Sequence, residues 1–246
     1  MQVGDGAGNH AGGVLGVGYV TWSCNHAGVV TQPLAPTYAA SGDGTPPPAE
    51  TYALGVDVAR SGVDESVLAL LKGDTLVQMD SWRGQDTMRT AAKVKDYWDR
   101  YSVPPPPAKP DPLHPSLVIA VDDGGVGGGV VDRLREMNII VRGVSFGAAP
   151  NGRMQARFKN KVSQIYWVLA EELHHRKLRI SASIPERTRA KLWAQLTQIE
   201  WELESDKVIR VHKLGLDGRS SSPDLADALA LAVEAQKNGL RVVGFY

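Results

Sequence analysis

The sequence has little of what would assign it to several common classes of protein. It contains one cysteine, Cys24, so no disulfide can form within the chain, and we expect a reducing compartment. No apolar run is long enough to span a bilayer, and the N-terminus lacks the basic stretch and apolar core of a secretory signal. A soluble, cytoplasmic protein with no membrane partner is expected.

The chain also lacks a net charge, because 27 Lys and Arg residues balance 27 Asp and Glu residues. A nucleic-acid partner would therefore have to be held by a local basic patch, since the molecule as a whole does not attract phosphate. Hydrophobic residues make up 43% of the chain and charged residues 22%, which excludes a wholly disordered protein.

Glycine and proline are concentrated in residues 1–49, where no hydrophobic period of 2 or 3.6 is sustained. We interpret this segment as a disordered leader or linker that is dispensable for folding. Regular patterning begins near residue 50, and residues 50–246 are predicted to form one domain.

Within that domain, three β-rich segments come first, at 52–59, 66–72 and 75–82, and a turn at Gly73-Asp74 predicts that the last two form a hairpin. A helix, a buried strand at 116–121, another helix and a strand at 139–146 follow. Two more helices, a second hairpin at 199–203 and 208–211, and a last helix capped by Ser222 complete the order. This order predicts an α/β fold with an RNase H-like mixed sheet: three antiparallel strands and then parallel strands, helices on both faces, and a small β-hairpin.

One acid interrupts a strand of the predicted sheet and another follows the end of a strand. Asp57 interrupts the apolar segment 54–59, and Asp122 follows the apolar run 117–121 and precedes Asp123. A charge in a buried strand costs several kcal/mol unless it is paired or bound to a metal, although Asp57 could also pair with Arg60 or face water at the strand end. Acids at the carboxyl ends of strands are well placed for chemistry.

Two further acids, Asp224 and Asp227, stand three residues apart on the last helix, which puts both on one face of its first turn. Asp224 could simply complement the helix dipole. Asp227 is surrounded by small apolar residues, which favours a functional role for its charge.

Three acids from two strands and a helix are what a two-metal phosphodiester hydrolase requires. Hard divalent cations such as Mg²⁺ and Mn²⁺ take oxygen ligands, and no cysteine or histidine occurs in these segments to favour zinc. The glycine run at 124–129 has no Lys-Ser or Lys-Thr pair, so it is not a Walker A loop and more plausibly serves a tight turn from strand to helix.

The acids lie in segments that resemble the three motifs of the nuclease domain of tailed-phage large terminase subunits. The matching residues are Gly55-Val56-Asp57-Val58-Ala59 with Gly62 and Asp64, Val121-Asp122 with Gly125-Val126-Gly127 and Val131-Asp132-Arg133-Leu134, and Ser222-Pro223-Asp224-Leu225-Ala226-Asp227-Ala228-Leu229-Ala230. The segments 143–147 and 158–161 also look like that family, and the resemblance covers roughly residues 52–235.

The resemblance implies an RNase H-like endonuclease that cuts concatemeric viral double-stranded DNA with two Mg²⁺ or Mn²⁺ ions during genome packaging. Asp57, Asp122 and Asp227 match the catalytic, metal-binding acids, and Asp224 matches an accessory ligand. The implied partners are DNA, a separate ATPase motor chain, a portal and a small terminase subunit, in the cytoplasm of a bacterial host. Because no Walker A pattern occurs, the resemblance does not imply that this chain translocates DNA with ATP.

Two groups of basic residues could bind DNA phosphates, although exposed Lys and Arg are more often a solvated face. We favour Lys207, Arg210, Lys213 and Arg219, which precede Asp227 closely in sequence, together with Lys161. The remaining members of the other group are Arg153, Arg157 and Lys159.

Other functions remain open at this stage. A Holliday-junction resolvase or a transposase-type nuclease shares the RNase H-like plan, and resolvases share the Asp-x-x-Asp-Ala-Leu ending. An actin-like ATPase or sugar kinase would need two such domains, for which this chain is too short. A non-catalytic DNA or capsid adaptor would have no use for three converging acids.

Overall fold

The elements of the fold are given by a computed structural model, which describes residues 12–14, 51–59, 64–84, 86–102, 116–204, 208–213 and 222–238. Within these ranges they follow in the order β1 (Gly12–Val14), β2 (Tyr52–Asp57), β3 (Ser66–Lys72), β4 (Thr75–Trp82), α1 (Thr87–Tyr101), β5 (Leu117–Asp122), α2 (Gly127–Glu136), β6 (Arg142–Val144), α3 (Lys161–His174), β7 (Arg179–Ile180), α4 (Glu186–Leu196), β8 (Ile199–Leu203), β9 (Ile209–Lys213) and α5 (Asp224–Asn238).

A six-stranded mixed sheet forms the centre of the domain, with the strand order β6-β5-β2-β3-β4-β7. Strands β2, β3 and β4 are antiparallel neighbours, whereas β5 runs parallel to β2 and β6 runs parallel to β5. The predicted RNase H-like sheet is therefore confirmed. The strand predicted at 139–146 is shorter than expected, and β7, a parallel addition beside β4, was not predicted.

Helices cover both faces of this sheet because its central strands are apolar on both sides. Alternate residues of β2 and β3 point to opposite faces, so Ala53 and Val67 belong to one core cluster and Leu54 and Leu68 to the other. Helices α3, α4 and α5 pack into the first cluster, and α1 and α2 pack into the second. Between the two helical layers, Asp57 and Asp122 lie at the carboxyl ends of β2 and β5.

Helix α5 lies unusually close to β2, and the contact depends on a residue without a side chain. A Cβ atom added to Gly55 would stand 2.0 Å from the carbonyl oxygen of Ala228 and 2.3 Å from the amide nitrogen of Ala232. Only glycine permits this approach, which brings the first turn of α5 beside the end of β2.

A second, smaller sheet has the order β1-β8-β9. The predicted hairpin supplies β8 and β9, which are antiparallel with Trp201 opposite Val211. Residues 12–14, which the composition assigned to a disordered leader, pair antiparallel with β8, so that segment contributes a strand of its own. The edge strand of a sheet can pair with such a segment through backbone hydrogen bonds alone. These bonds require no hydrophobic pattern in the sequence. In the described residues no helix is long and apolar enough to cross a membrane.

Candidate metal centre

The first two acids of the site leave adjacent parallel strands at the same edge of the sheet. Asp57 is the last residue of β2 and Asp122 the last of β5, and the preceding residues Val56 and Val121 are paired. Asp57 is only 8% exposed. Burial and then the charges of Asp227, Asp224 and Asp122 raise its pKa well above the usual value, and Lys213 opposes this rise. The predicted alternative partner, Arg60, lies outside the described residues.

The other two acids, Asp224 and Asp227, lie in the first turn of α5 and are 5% and 1% exposed. The helix begins where the side chain of Gln195, from α4, accepts hydrogen bonds from the amides of Leu225 and Ala226 at 2.9 and 3.2 Å. Gln195 therefore satisfies two of the four amides that a helix leaves free at its N-terminus. The first turn of α5 is thereby fixed against α4.

Both carboxylate oxygens of Asp227 are engaged by side chains that come from other elements. The hydroxyl of Tyr166, on α3, donates to Oδ1 at 2.7 Å, and the ammonium of Lys213, at the end of β9, donates to Oδ2 at 2.8 Å. Tyr166 is buried, and burial followed by the charge of Asp227 raises its pKa well above 10, so the hydroxyl keeps its proton and donates it. Asp227 is thus held in one orientation from two sides.

Lys213 supplies positive charge to the whole acid cluster. Besides its bond to Asp227, its charge counteracts the raised pKa of Asp57 and of Asp122. Its ammonium also lies 4.7 Å from the centre of the Phe146 ring, in the segment that follows β6. This ammonium therefore acts on three of the acids: it binds Asp227 and lowers the raised pKa values of Asp57 and Asp122.

Asp122 is positioned by the glycine segment that follows it. Its Oδ1 accepts a hydrogen bond from the amide of Gly124 at 2.9 Å. Burial raises the pKa of Asp122, although this hydrogen bond lowers it. A Cβ atom on Gly127 would stand 1.7 Å from the carbonyl oxygen of Asp122, so α2 can begin directly against the end of β5. The glycine run thus makes the tight turn that its composition predicted.

Asp123 lies beside Gly143, whose added Cβ would stand 2.6 Å from Oδ2 of Asp123.

Asp224 is held from the side of β3. Its Oδ2 accepts a hydrogen bond from the backbone amide of Glu65 at 2.8 Å. Burial raises the pKa of Asp224, and the charges of Asp64 and Asp227 act in the same direction, whereas the Glu65 amide opposes them. The Glu65 side chain binds Lys191 and Arg83 at 2.8 and 2.9 Å.

The chemistry of this donor set suits hard divalent cations. Four carboxylates, three of them with pKa values raised by burial and mutual repulsion, lack enough positive charge among the side chains around them. In the described part of the chain, no group of three His, Cys, Asp or Glu side chains is already arranged to enclose a metal ion. Oδ2 of Asp227 is bound by Lys213, so a cation that binds this oxygen would have to displace the Lys213 ammonium.

The predicted DNA-binding residues occupy very different positions. Lys213 lies within the acid cluster, whereas Arg210 binds the carboxylate of Glu204 beside the hairpin. Lys161 is 4% exposed and its ammonium lies 2.7 Å from Glu234 Oε1, which Arg142 also approaches at 3.1 Å. From this buried ion pair Lys161 cannot reach a phosphate at the surface. Lys207 and Arg219 lie outside the described residues.

Two of the three remaining basic residues of the same region also have acidic partners. Lys159 lies 2.8 Å from Glu204, the residue that binds Arg210, and Arg157 lies 3.7 Å from Glu171. Arg153 is exposed in a short 3-10 turn. The surface around the hairpin is thus more balanced in charge than the sequence order of its Lys and Arg residues suggested.

Three residues of the site carry no signal in the sequence. Tyr166 belongs to an apolar helical stripe and is predicted as core, Gln195 lies in an amphipathic helix, and Glu65 is an isolated acid. Their roles arise from contacts with α5, which is far away along the chain. Only the unusual presence of a hydroxyl in the buried stripe of α3 could have indicated Tyr166.

The fold is similar to that of the nuclease domains of phage large terminase subunits. The nuclease domain of the large terminase subunit gp2 of bacterial virus Sf6 superposes with a TM-score of 0.57 at 20% identity, over 75% of this chain and 87% of that chain. The large terminase nuclease of thermophilic phage G20c, solved with bound magnesium, gives a TM-score of 0.54 at 15% identity, over 76% and 82%. The nuclease domain of Thermus phage P74-26 gives 0.51 at 14% identity, over 76% and 80%. At these identities the similarity establishes the fold. The sequence matches no family model, and it matches no curated protein.

Proposed function

We propose that this chain is a metal-dependent endonuclease that cleaves double-stranded DNA. The observation that carries the proposal is the convergence of Asp57, Asp122, Asp224 and Asp227, from two strands and a helix, at the carboxyl edge of the sheet. Buried carboxylates that repel one another, with one ammonium among the described side chains bound to them, are costly to the fold unless a cation compensates their charge.

Asp57, Asp122 and Asp227 are the residues that would hold two Mg²⁺ or Mn²⁺ ions, with Asp224 as an accessory ligand. When bound, such cations activate a water molecule and stabilise the leaving oxygen of a phosphodiester. The solved Sf6 and G20c domains, which include forms with manganese and with magnesium, support this choice of metals.

The other residues of the site keep these ligands in place. The Tyr166 hydroxyl fixes Oδ1 of Asp227, and the Glu65 amide fixes Oδ2 of Asp224, so that neither carboxylate can rotate freely. Lys213 compensates the charge of the cluster before metal binds.

The biological substrate that we propose is concatemeric viral DNA, cut during genome packaging in the host cytoplasm. The proposal is supported by the motifs around the three acids and by the similarity of fold to the Sf6, G20c and P74-26 terminase domains. The corresponding partners would be an ATPase motor, a portal and a small terminase subunit.

Substrate preference tests this assignment against the resolvase alternative. The purified chain would be incubated with a linear duplex and with a four-way junction of the same sequence, each with Mg²⁺, with Mn²⁺ and with EDTA. Cleavage of the linear duplex that requires metal is expected. Preferential cleavage of the junction would replace the packaging function with that of a resolvase, and the absence of any cleavage would remove the nuclease proposal altogether.

A further inference from the structure

The basic residues expected to hold DNA near the hairpin are largely neutralised. Glu204 binds both Arg210 and Lys159, Lys161 is buried against Glu234, and Lys213 is bound to Asp227. A protein with no net charge still needs a local concentration of cations to hold a duplex. A further group of basic residues lies where α4 meets the start of α5.

On that side, two cations share one carboxylate that is attached to the site. The Glu65 side chain lies 2.8 Å from Lys191, on α4, and 2.9 Å from Arg83, which follows β4. One negative charge cannot neutralise two positive charges, and a net positive charge remains. The Arg83 side chain is 59% exposed and that of Lys191 is 40% exposed.

Glu65 connects Lys191 and Arg83 to Asp224, a candidate metal ligand. The Glu65 carboxylate carries Lys191 and Arg83, while the Glu65 backbone amide donates to Asp224. A phosphate bound by these cations would therefore lie beside the acid cluster.

Arg187 extends the positive charge along α4. It precedes Lys191 by four residues, so both side chains lie on the same face of the helix, one turn apart. Arg187 is exposed and makes no ion pair with the part of the chain that the structure describes. Gln195, a further turn along the same face, binds the first amides of α5. The face thus leads from solvent at Arg187 to the helix that carries Asp224 and Asp227.

The acids nearby do not cancel this charge. Glu186 precedes Arg187 in the helix but points about 100° away from it. Asp64 is exposed beside Asp224 and belongs to the acid side of the site. Arg83 and Lys191 therefore share one carboxylate, and Arg187 adds an exposed positive charge one helical turn from Lys191.

We propose that Arg187, Lys191 and Arg83 form a phosphate-binding strip that holds the backbone of duplex DNA against the acid cluster from the α4 side. The inference rests on the proposed nuclease function and adds the surface by which the substrate is held. Arg and Lys contacts of this kind position a duplex without reading its sequence, so the strip should bind all sequences alike.

The test measures how strongly salt weakens DNA binding. A labelled duplex of arbitrary sequence would be titrated with the protein over a series of NaCl concentrations, with Ca²⁺ in place of Mg²⁺ to prevent cleavage. Each lost phosphate contact reduces the slope of log affinity against log salt by about 0.9 on duplex DNA, so R187Q/K191Q should lose about 2 units of slope. The single variant R187Q, which breaks no ion pair with the described residues, should lose about 1 unit.

The matched control removes two arginines from the last turn of α2. Arg133 and Arg135 are exposed and paired with Glu136 and Asp132 of their own helix at 2.9 and 3.7 Å. R133Q/R135Q changes the net charge by the same amount as R187Q/K191Q, and its slope should equal that of the wild type. An unchanged slope in R187Q, or equal losses in the two double variants, would overturn the strip. If the wild type neither binds nor cuts duplex DNA, the proposed nuclease function itself fails, which is a different result.

Discussion

The ammonium of Lys213 lies 2.8 Å from Oδ2 of Asp227, inside the cluster of acids that we propose as the metal site. From the sequence, Lys213 is predicted to contact a DNA phosphate. The observed position gives it a second property: it competes with a metal ion for one oxygen of Asp227.

Replacing this lysine should therefore have opposite effects on stability and on metal affinity. In Lys213→Ala, the acids lose their only compensating ammonium among the described side chains, so the Tm in EDTA should fall. Metal binding no longer has to displace the ammonium, so titration calorimetry should show a lower Kd for Mn²⁺ than in the wild type. Lys237→Ala, which removes an exposed lysine paired with Glu172, is the control and should change neither quantity appreciably. A weaker Mn²⁺ affinity in Lys213→Ala would contradict the competition.

The metal-free protein should become more stable as the pH falls from 7 towards 4. The pKa of Asp57 is raised in the folded state by burial and by three neighbouring acids, compared with about 3.9 in an unfolded chain. A raised pKa contributes stability that is fully present below the unfolded value and is lost as the pH rises through the folded value. Asp122 and Asp224, whose pKa values are also raised by burial, act in the same direction.

Thermal unfolding in EDTA across this pH range measures the effect. Asp57→Asn removes one of the repelling charges, so its Tm at pH 7 should be equal to or above that of the wild type, and its pH dependence should be flatter. The control is Asp96→Asn, at an exposed position of α1, and its dependence of Tm on pH should match that of the wild type. Repulsion among these acids would be ruled out if the wild-type Tm rises between pH 4 and 7 and the Tm of Asp57→Asn follows the same curve.

Tyr166→Phe should weaken metal binding while preserving the fold. The substitution removes only the hydroxyl that donates to Oδ1 of Asp227 at 2.7 Å. Loss of such an outer hydrogen bond to a metal ligand typically costs about 10- to 100-fold in metal affinity or activity. Calorimetric Mn²⁺ titration and cleavage rates would measure the two losses.

The chain offers a matched control for that substitution. Tyr97 donates to Asp80 at 2.6 Å in the core cluster on the opposite face of the sheet. Tyr97→Phe should therefore lower stability by about 1 kcal/mol without affecting the Kd for Mn²⁺. If both variants lose metal affinity equally, the effect of Tyr166 is general destabilisation and the residue does not position Asp227.

Gly55→Ala should separate α5 from β2 and so disrupt the site. The added Cβ would stand 2.0 Å from the Ala228 carbonyl oxygen, and backbone on both sides leaves no side chain that could move away. Overpacking of this kind costs about 1–3 kcal/mol or more, and the shift would carry Asp227 away from Asp57. Urea unfolding would measure the stability, and a cleavage assay the activity. Gly129→Ala in α2, where an added Cβ meets nothing within 4 Å, should instead be neutral or stabilising. Wild-type activity in Gly55→Ala would show that the close approach is not needed.

The features that depend on local pattern could be predicted from the sequence. The meander of β2, β3 and β4 follows from apolar runs separated by turn residues, and the fold that follows from their order is confirmed. Asp122 could be placed at a strand end because it terminates an apolar run in the sequence. Asp57 is predicted inside the strand 52–59, whereas β2 ends at this residue. The pairing of Asp224 and Asp227 on one helical face likewise follows from their spacing.

The features that depend on packing between distant elements could not be predicted. Lys161 and Lys213 are both lysines near polar segments, yet one is buried against Glu234 and the other lies among the acids. The environment of each lysine depends on how α3, which carries Lys161, and β9, which carries Lys213, pack against α5. The strand at residues 12–14 escaped prediction for a related reason, because its pairing with β8 uses backbone groups that every residue has.

Cleavage of supercoiled plasmid by the wild type and by Asp57→Asn, Asp122→Asn and Asp227→Asn tests the central claim most directly. Each reaction would be run with Mg²⁺, with Mn²⁺ and with EDTA, and circular dichroism would confirm that each variant is folded. We expect the wild type to cut with either metal and not in EDTA, and each variant to be inactive because the three acids share the same cations. Cleavage by the wild type in EDTA, or undiminished cleavage by the folded variants, would contradict the assignment of this cluster as the catalytic metal site.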